Sequence, residues 1–207
     1  MENIHNEIIY AGPEPVKGSR AVIMIHGRGG NAESILSLAD HLHIRDHARV
    51  APQAEGNSWY PFSFMAPAAY NEGHLAHALA LVDTAVESLL SKGVVQEDIY
   101  LLGFSQGACL AAEYAARNAG RYGGLVLFTG GLIGDQIYRQ NYQGNFEGTP
   151  VFLGTSDPDP HVPLQRVKDS AGILAEMGAK VTMKVYPGMP HTISMEEIKE
   201  VNDIIFS

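Results

Sequence analysis

The chain has 207 residues, 45% of them hydrophobic and 18% charged, which excludes a disordered polymer and provides enough apolar material for a full core. Its formal net charge of −9, with no Lys/Arg cluster, argues against a nucleic-acid partner, because phosphate binding needs a basic surface. One cysteine, Cys109, excludes an intrachain disulfide, and no basic leader or apolar run of spanning length is present. The expectation is one domain over residues 1–207, cytoplasmic, with no stable membrane insertion.

Residues 8–10 suit a short edge strand before the turn-forming run Gly12-Pro13-Glu14-Pro15. Residues 21–26 are a near-continuous apolar run, the pattern of a strand covered on both faces. They lead into Gly27-Arg28-Gly29-Gly30 and a helix over 32–42, the opening of a parallel α/β sheet. This glycine loop lacks the Lys-Ser/Thr ending of a phosphate cradle and the spacing of a dinucleotide fingerprint. It is either a plain turn or the source of one oxyanion N–H, from Arg28.

Another strand is expected over 49–54, followed by the long aromatic stretch of residues 55–67, which holds the only tryptophan. Loops of this length are often functional, so Trp59 and Tyr60 are either pocket walls or fillers of a satellite core. Residues 71–92 read as a helix with Leu75, Leu79, Val82, Val86, Leu89 and Leu90 on one stripe and Gly93 ending it. His74 and His77 lack a third ligand, as do His41, His43 and His47 at the preceding helix end, so no metal site is expected.

Residues 99–102 read as a buried strand, then Gly103-Phe104-Ser105-Gln106-Gly107, then a small-residue helix to about residue 118. A G-x-S-x-G turn between strand and helix strains the serine and lifts its hydroxyl to the tip, with helix N–H groups behind it. Ser105 is the candidate nucleophile and the Gln106 N–H the second oxyanion donor. Serine is also a favoured N-cap, which is the plain alternative. Cys109, on the following helix, reads as a small buried hydrophobe.

Strands are next expected over 124–128 and 150–154, separated by a polar loop over 130–148. Asp157 and Asp159 follow the second of these; a helix over 164–177, a strand over 181–186, His191 and a closing helix over 195–206 complete the chain. Functional groups gather at the carboxyl ends of parallel strands, and the order serine, acid, histidine is that of an α/β-hydrolase. A serine hydroxyl needs a base, which His191 supplies, and a carboxylate to fix the imidazole tautomer; spacing alone leaves Asp157 and Asp159 both open.

Taken together, these residues resemble the small bacterial carboxylesterase, lysophospholipase and acyl-protein thioesterase family of α/β-hydrolases. The resemblance runs through His26-Gly27, Ser58-Trp59, Gly103-Phe104-Ser105-Gln106-Gly107, Asp159-Pro160-His161-Val162-Pro163 and Tyr186-Pro187-Gly188-Met189-Pro190-His191. It implies a doubly wound, mostly parallel sheet with helices on both faces, no large cap domain, and an esterase needing no metal or cofactor. It also implies Asp159 as the acid, since the family's catalytic aspartate opens an Asp-x-x-Val-Pro run. Val162 and Met189, beside the catalytic turns, join Trp59 and Tyr60 as pocket candidates. Trp59-Tyr60-Pro61-Phe62 departs from the Trp-Phe-Asp of the closer thioesterases, and the following connection is shortened. Simple carboxylic esters of small or medium acyl groups are therefore the expected substrates. A thioesterase, lysophospholipase or acyltransferase on the same triad is the alternative, and a non-catalytic binding protein on the same fold lies further off. An apolar pocket rim serves a small-molecule ester or a second copy of the chain equally, so a homodimer is also envisaged.

Overall fold

The computed structural model describes residues 8–207; the reading of the first seven residues as lacking a leader lies outside the described residues. The strands are β1 (Ile8–Ala11), β2 (Ala21–Ile25), β3 (Ala48–Pro52), β4 (Ile99–Phe104), β5 (Gly124–Phe128), β6 (Pro150–Asp157) and β7 (Lys180–Pro187). They form one sheet in the order β1-β3-β2-β4-β5-β6-β7, antiparallel only between β1 and β3. The helices are α1 (Ala32–Leu36), α2 (Ala68–Ser91), α3 (Gln106–Arg117), α4 (Leu164–Glu176) and α5 (Met195–Ile204). This is an α/β-hydrolase fold, and no cap domain is inserted among the described residues.

Alternation along the strands divides the core in two. Ile23 and Ile25 of β2 face the cluster built with α2, α3 and α4, while Val22 and Met24 face the cluster built with α1 and α5. Both faces of the sheet are thus covered, which is why β2 reads as an unbroken apolar run. Five alanines of α3, Ala108, Ala111, Ala112, Ala115 and Ala116, are fully buried and let this helix lie close on the sheet.

Several boundaries differ from the sequence expectation. The α-helix after the first glycine loop stops at Leu36 and tightens into a 3-10 turn over Ser37–His41, with the Ser37 hydroxyl donating to the Ser34 carbonyl. β6 continues three residues past Gly154, pairing in register with β7 through Ser156↔Tyr186 and Asp157↔Pro187. The connection after β5 is not polar throughout: Leu132 and Ile133 are buried, the Ile133 N–H donates to Glu113, and Arg166 donates to the Leu132 carbonyl. His47 is not a helix-end residue either; it is buried against Tyr100 and Phe206. Among the described residues no helix is long and apolar enough to cross a membrane.

Candidate active site

β4 and α3 meet at Ser105, whose backbone is held at φ 53°, ψ −117°, a region that L-residues rarely occupy. Neighbouring glycines make this turn possible. A Cβ on Gly103 would overlap the Gly107 carbonyl, and one on Gly107 would overlap the Ile25 carbonyl. The Ser105 N–H donates to the Phe128 carbonyl at 2.9 Å, tying the turn to β5. Although Ser105 occupies the N-cap position of α3, its hydroxyl caps nothing; it lies 2.8 Å from His191 Nε2.

His191 follows β7 on a loop anchored at both ends. At its start the Gly188 N–H donates to the Asp157 carbonyl, and at its end Ser194 and Glu197 form a capping box on α5. The imidazole rests on Phe104, with ring centroids 5.2 Å apart, and meets the edge of His161 at 4.9 Å. Its Nδ1 lies 2.8 Å from Asp159 Oδ2, so Nδ1–H donates there and Nε2 is left to accept from Ser105.

The structure therefore brings Asp159, not Asp157, to the histidine. The Asp159 side chain is fully enclosed, whereas Asp157 is exposed at the end of β6. Asp159 Oδ1 accepts the N–H groups of His161 and Val162, both at 2.8 Å, and Oδ2 accepts the Ser156 hydroxyl at 2.9 Å as well as His191. Burial pushes this carboxyl's pKa up, but the bonds from His191, the two backbone N–H groups and Ser156 outweigh it and hold it below the usual value.

The glycine loop runs directly against the nucleophile turn, since a Cβ on Gly27 would lie 3.2 Å from the Phe104 carbonyl. Arg28 and Gln106 line the same cavity as Ser105, and Gln106 is the first residue of α3, a position whose N–H has no intrahelical acceptor. Their side chains grip the facing loop. Arg28 donates to the carbonyls of Tyr60, Pro61 and Phe62 at 2.8–3.0 Å, and Gln106 accepts the Trp59 N–H at 3.0 Å while donating to the Tyr60 carbonyl at 2.8 Å. From α2, Asn71 accepts the Phe62 N–H and donates to the Ser63 carbonyl. Residues 58–63 thus form a strap with little regular structure, held by side chains from three elements.

A cavity of about 360 Å³ opens over Ser105 between the strap and the acid loop, with Tyr60, Phe62, Phe64, Cys109 and Val162 among its apolar walls. Tyr60 and Val162, two of the pocket candidates, line this cavity. Trp59 does not: it is 4% exposed, its indole N–H donates to the His26 carbonyl at 2.7 Å, and it lines a separate depression beside His74. Met189 borders another surface depression, with Lys184 and Glu200, and does not reach the cavity. Cys109 is buried, with its thiol pKa pushed up to about 12 by burial, which makes it an inert wall. Among the described residues no three His, Cys, Asp or Glu side chains are grouped to hold a metal ion.

Sequence reasoning did not single out Ser156, Phe64, Asn71 or the side-chain grips of Arg28 and Gln106. The last of these had a signal: a polar residue at the buried start of a tightly packed helix needs partners.

Comparison with known proteins places this geometry among relatives. A sequence model of phospholipase/carboxylesterase proteins matches residues 6–206. A phospholipase/carboxylesterase from Dyadobacter fermentans DSM 18053 superposes with a TM-score of 0.97 at 50% identity, covering 100% of this chain and 99% of that one. Acyl-protein thioesterase 1 of Saccharomyces cerevisiae is 27% identical over 90% of this chain and 91% of its own length. The Bacillus cereus carboxylesterase, at 19% identity, shares the fold with a TM-score of 0.78, over 97% of this chain and 93% of that one.

Proposed function

The chain belongs to the phospholipase/carboxylesterase family of serine hydrolases, and from that premise we propose that it hydrolyses small and medium acyl esters through an acyl-enzyme on Ser105. The observation that carries this reading is the unbroken line Ser105 Oγ, His191 Nε2, His191 Nδ1, Asp159 Oδ2, with both hydrogen bonds at 2.8 Å.

The chemistry follows from that line. Ser105 Oγ attacks the ester carbonyl as His191 Nε2 takes its proton, and Asp159 stabilises the imidazolium that forms. Negative charge gathering on the carbonyl oxygen is met by the N–H groups of Arg28 and Gln106, the latter at the positive end of α3. His191 then returns the proton to the departing alcohol. Water, deprotonated by the same imidazole, attacks the acyl-serine and frees the acid and Ser105. The cavity supports the acyl-size part of the proposal: about 360 Å³ is near the lower end for ligand sites, and its walls are aromatic and aliphatic.

A second reading is favoured by the yeast relative, which is named an acyl-protein thioesterase: the same serine acting on thioesters. Both readings are tested by hydrolysis of p-nitrophenyl esters from acetate through long chains, beside matched thioesters. The proposal expects an optimum at short or medium chains, ester turnover at least equal to thioester turnover, and activity rising with pH through a histidine-like ionisation. A long-chain optimum, or activity confined to thioesters, overturns it.

A further inference from the structure

Resting on the Ser105, His191 and Asp159 reading, we propose that Ser156 is the positioning residue of the acid. Its hydroxyl orients the Asp159 carboxylate toward His191 and shares the charge of the oxygen that His191 uses. Ser156 is fully buried near the end of β6, the strand that extends beyond its apolar run. Its Oγ lies 2.9 Å from Asp159 Oδ2, and that same oxygen lies 2.8 Å from His191 Nδ1.

An ionised carboxylate only accepts, so the Ser156 proton points at Asp159. The two backbone N–H groups of His161 and Val162 hold Oδ1, while the position of Oδ2 is set by Ser156 on one side and His191 on the other. Without the serine the only lateral restraint on Oδ2 is the histidine it is meant to position. The shared bond also has an electrostatic consequence. Each hydrogen bond to a carboxylate spreads its charge and lowers its basicity, and the bond from Ser156 is one of those that hold Asp159 below its usual value. Removing the hydroxyl therefore slows the reaction through lost orientation of the oxygen that His191 uses.

Other charged or titratable groups face this site: His161 at the edge of the imidazole, Arg28 across the cavity, Asp157 at the end of β6, Tyr186 opposite Ser156 on β7, and Glu197, which reaches Gly154 from α5. All are retained when only Ser156 is changed, so the difference between variants isolates the one bond.

The experiment measures kcat, KM and the pH dependence of kcat/KM on a short p-nitrophenyl ester for the native protein and for Ser156→Ala, Ser156→Thr and Ser156→Cys. Rates of Ser105 labelling by a fluorophosphonate are compared in native and Asp159→Asn backgrounds. For Ser156→Ala the expected result is a roughly tenfold lower kcat with KM within about twofold. Ser156→Thr, which keeps the hydroxyl, restores the native kcat in part. In the Asp159→Asn background Ser156→Ala changes the labelling rate less than about twofold, because the group it acts through is gone. An unchanged kcat, a loss that appears in KM instead, or an equal loss in the Asp159→Asn background overturns the inference and leaves the triad standing. Native-like turnover by Ser105→Ala overturns the triad reading itself, and this inference with it. Should Ser156→Ala not fold, Ser156→Cys, with a weak donor of similar size, carries the same comparison.

Discussion

The nucleophile turn and the strap facing it are built in opposite ways. Residues 103–107 are fixed by backbone: two glycines without room for a Cβ, a strained serine whose N–H is tied to β5, and a helix that starts at once. The strap over residues 58–63 has almost no regular structure and is held by side chains: Arg28 and Gln106 from 32 and 46 residues away, and Asn71 from the start of the next helix. Both line one cavity. On the proposed mechanism the contrast separates two tasks: the turn fixes where the Ser105 oxygen sits, and the strap shapes what is admitted beside it. Because two of its clamps, Arg28 and Gln106, are the residues proposed to supply the oxyanion N–H groups, the strap is registered to the Ser105 turn.

The largest effect sharpens the chemical side of the contrast. Asp159→Asn is expected to lower turnover by roughly 10³–10⁴-fold with little change in melting temperature, whereas Asp157→Asn stays within about tenfold of native. Steady-state kinetics on one short ester checks both, and the reverse pattern would reassign the acid. Next comes the turn itself. Gly107→Ala drives a methyl group into the Ile25 carbonyl and is expected to cost more than about 3 kcal/mol in chemical denaturation. A loss under about 1 kcal/mol would mean that the turn yields as easily as the strap.

Gln106→Met keeps the backbone N–H proposed for the oxyanion but removes the strap's grip, leaving the buried Trp59 N–H without its acceptor. The expected result is a loss of roughly 1–3 kcal/mol in stability and a KM raised about tenfold for esters that fill the cavity, with acetate less affected. Equal losses for all chain lengths would make the side chain part of the reaction centre instead.

The smallest effect concerns acid. Burial holds the His26 imidazole below its ordinary pKa, with the bond to the Gly27 carbonyl opposing only in part. A histidine kept neutral in this way contributes stability that is present above about pH 6.5 and is lost as the pH falls through its lowered value. His26 Nε2 accepts the Ala54 N–H, and its carbonyl accepts the indole N–H of Trp59, the only tryptophan. Protonation breaks the first bond. Trp59 fluorescence is therefore expected to change as the pH falls below about 6.5, before far-UV circular dichroism does. Coincident changes would show the strap and the turn to be equally firm.

The same contrast explains what the sequence disclosed. Ser105 and His191 were legible because each follows a strand in a turn whose glycines and prolines announce it, and the alternating strands and helices gave the sheet. The acid needed the family resemblance, since Asp157 and Asp159 stand two residues apart at one strand end and only the fold shows which is enclosed. The reach of β6 was hidden because Thr155, Ser156 and Asp157 are polar, although the first two are fully buried. Trp59 was misplaced for the reason that makes straps illegible. An aromatic residue in a long loop suits a pocket wall and a core equally, and its partner, the His26 carbonyl, is 33 residues away. Ser156 carries no motif at all; its meaning lies in the oxygen it shares.

The most direct test of the central claim is stoichiometric labelling with a fluorophosphonate, followed by intact mass and peptide mapping, with residual esterase activity measured on the same samples. The account predicts one adduct, on Ser105, appearing in step with the loss of activity, and none in Ser105→Ala, which is inactive. Full activity after complete labelling of Ser105, or ester hydrolysis by folded Ser105→Ala at the native rate, would contradict it.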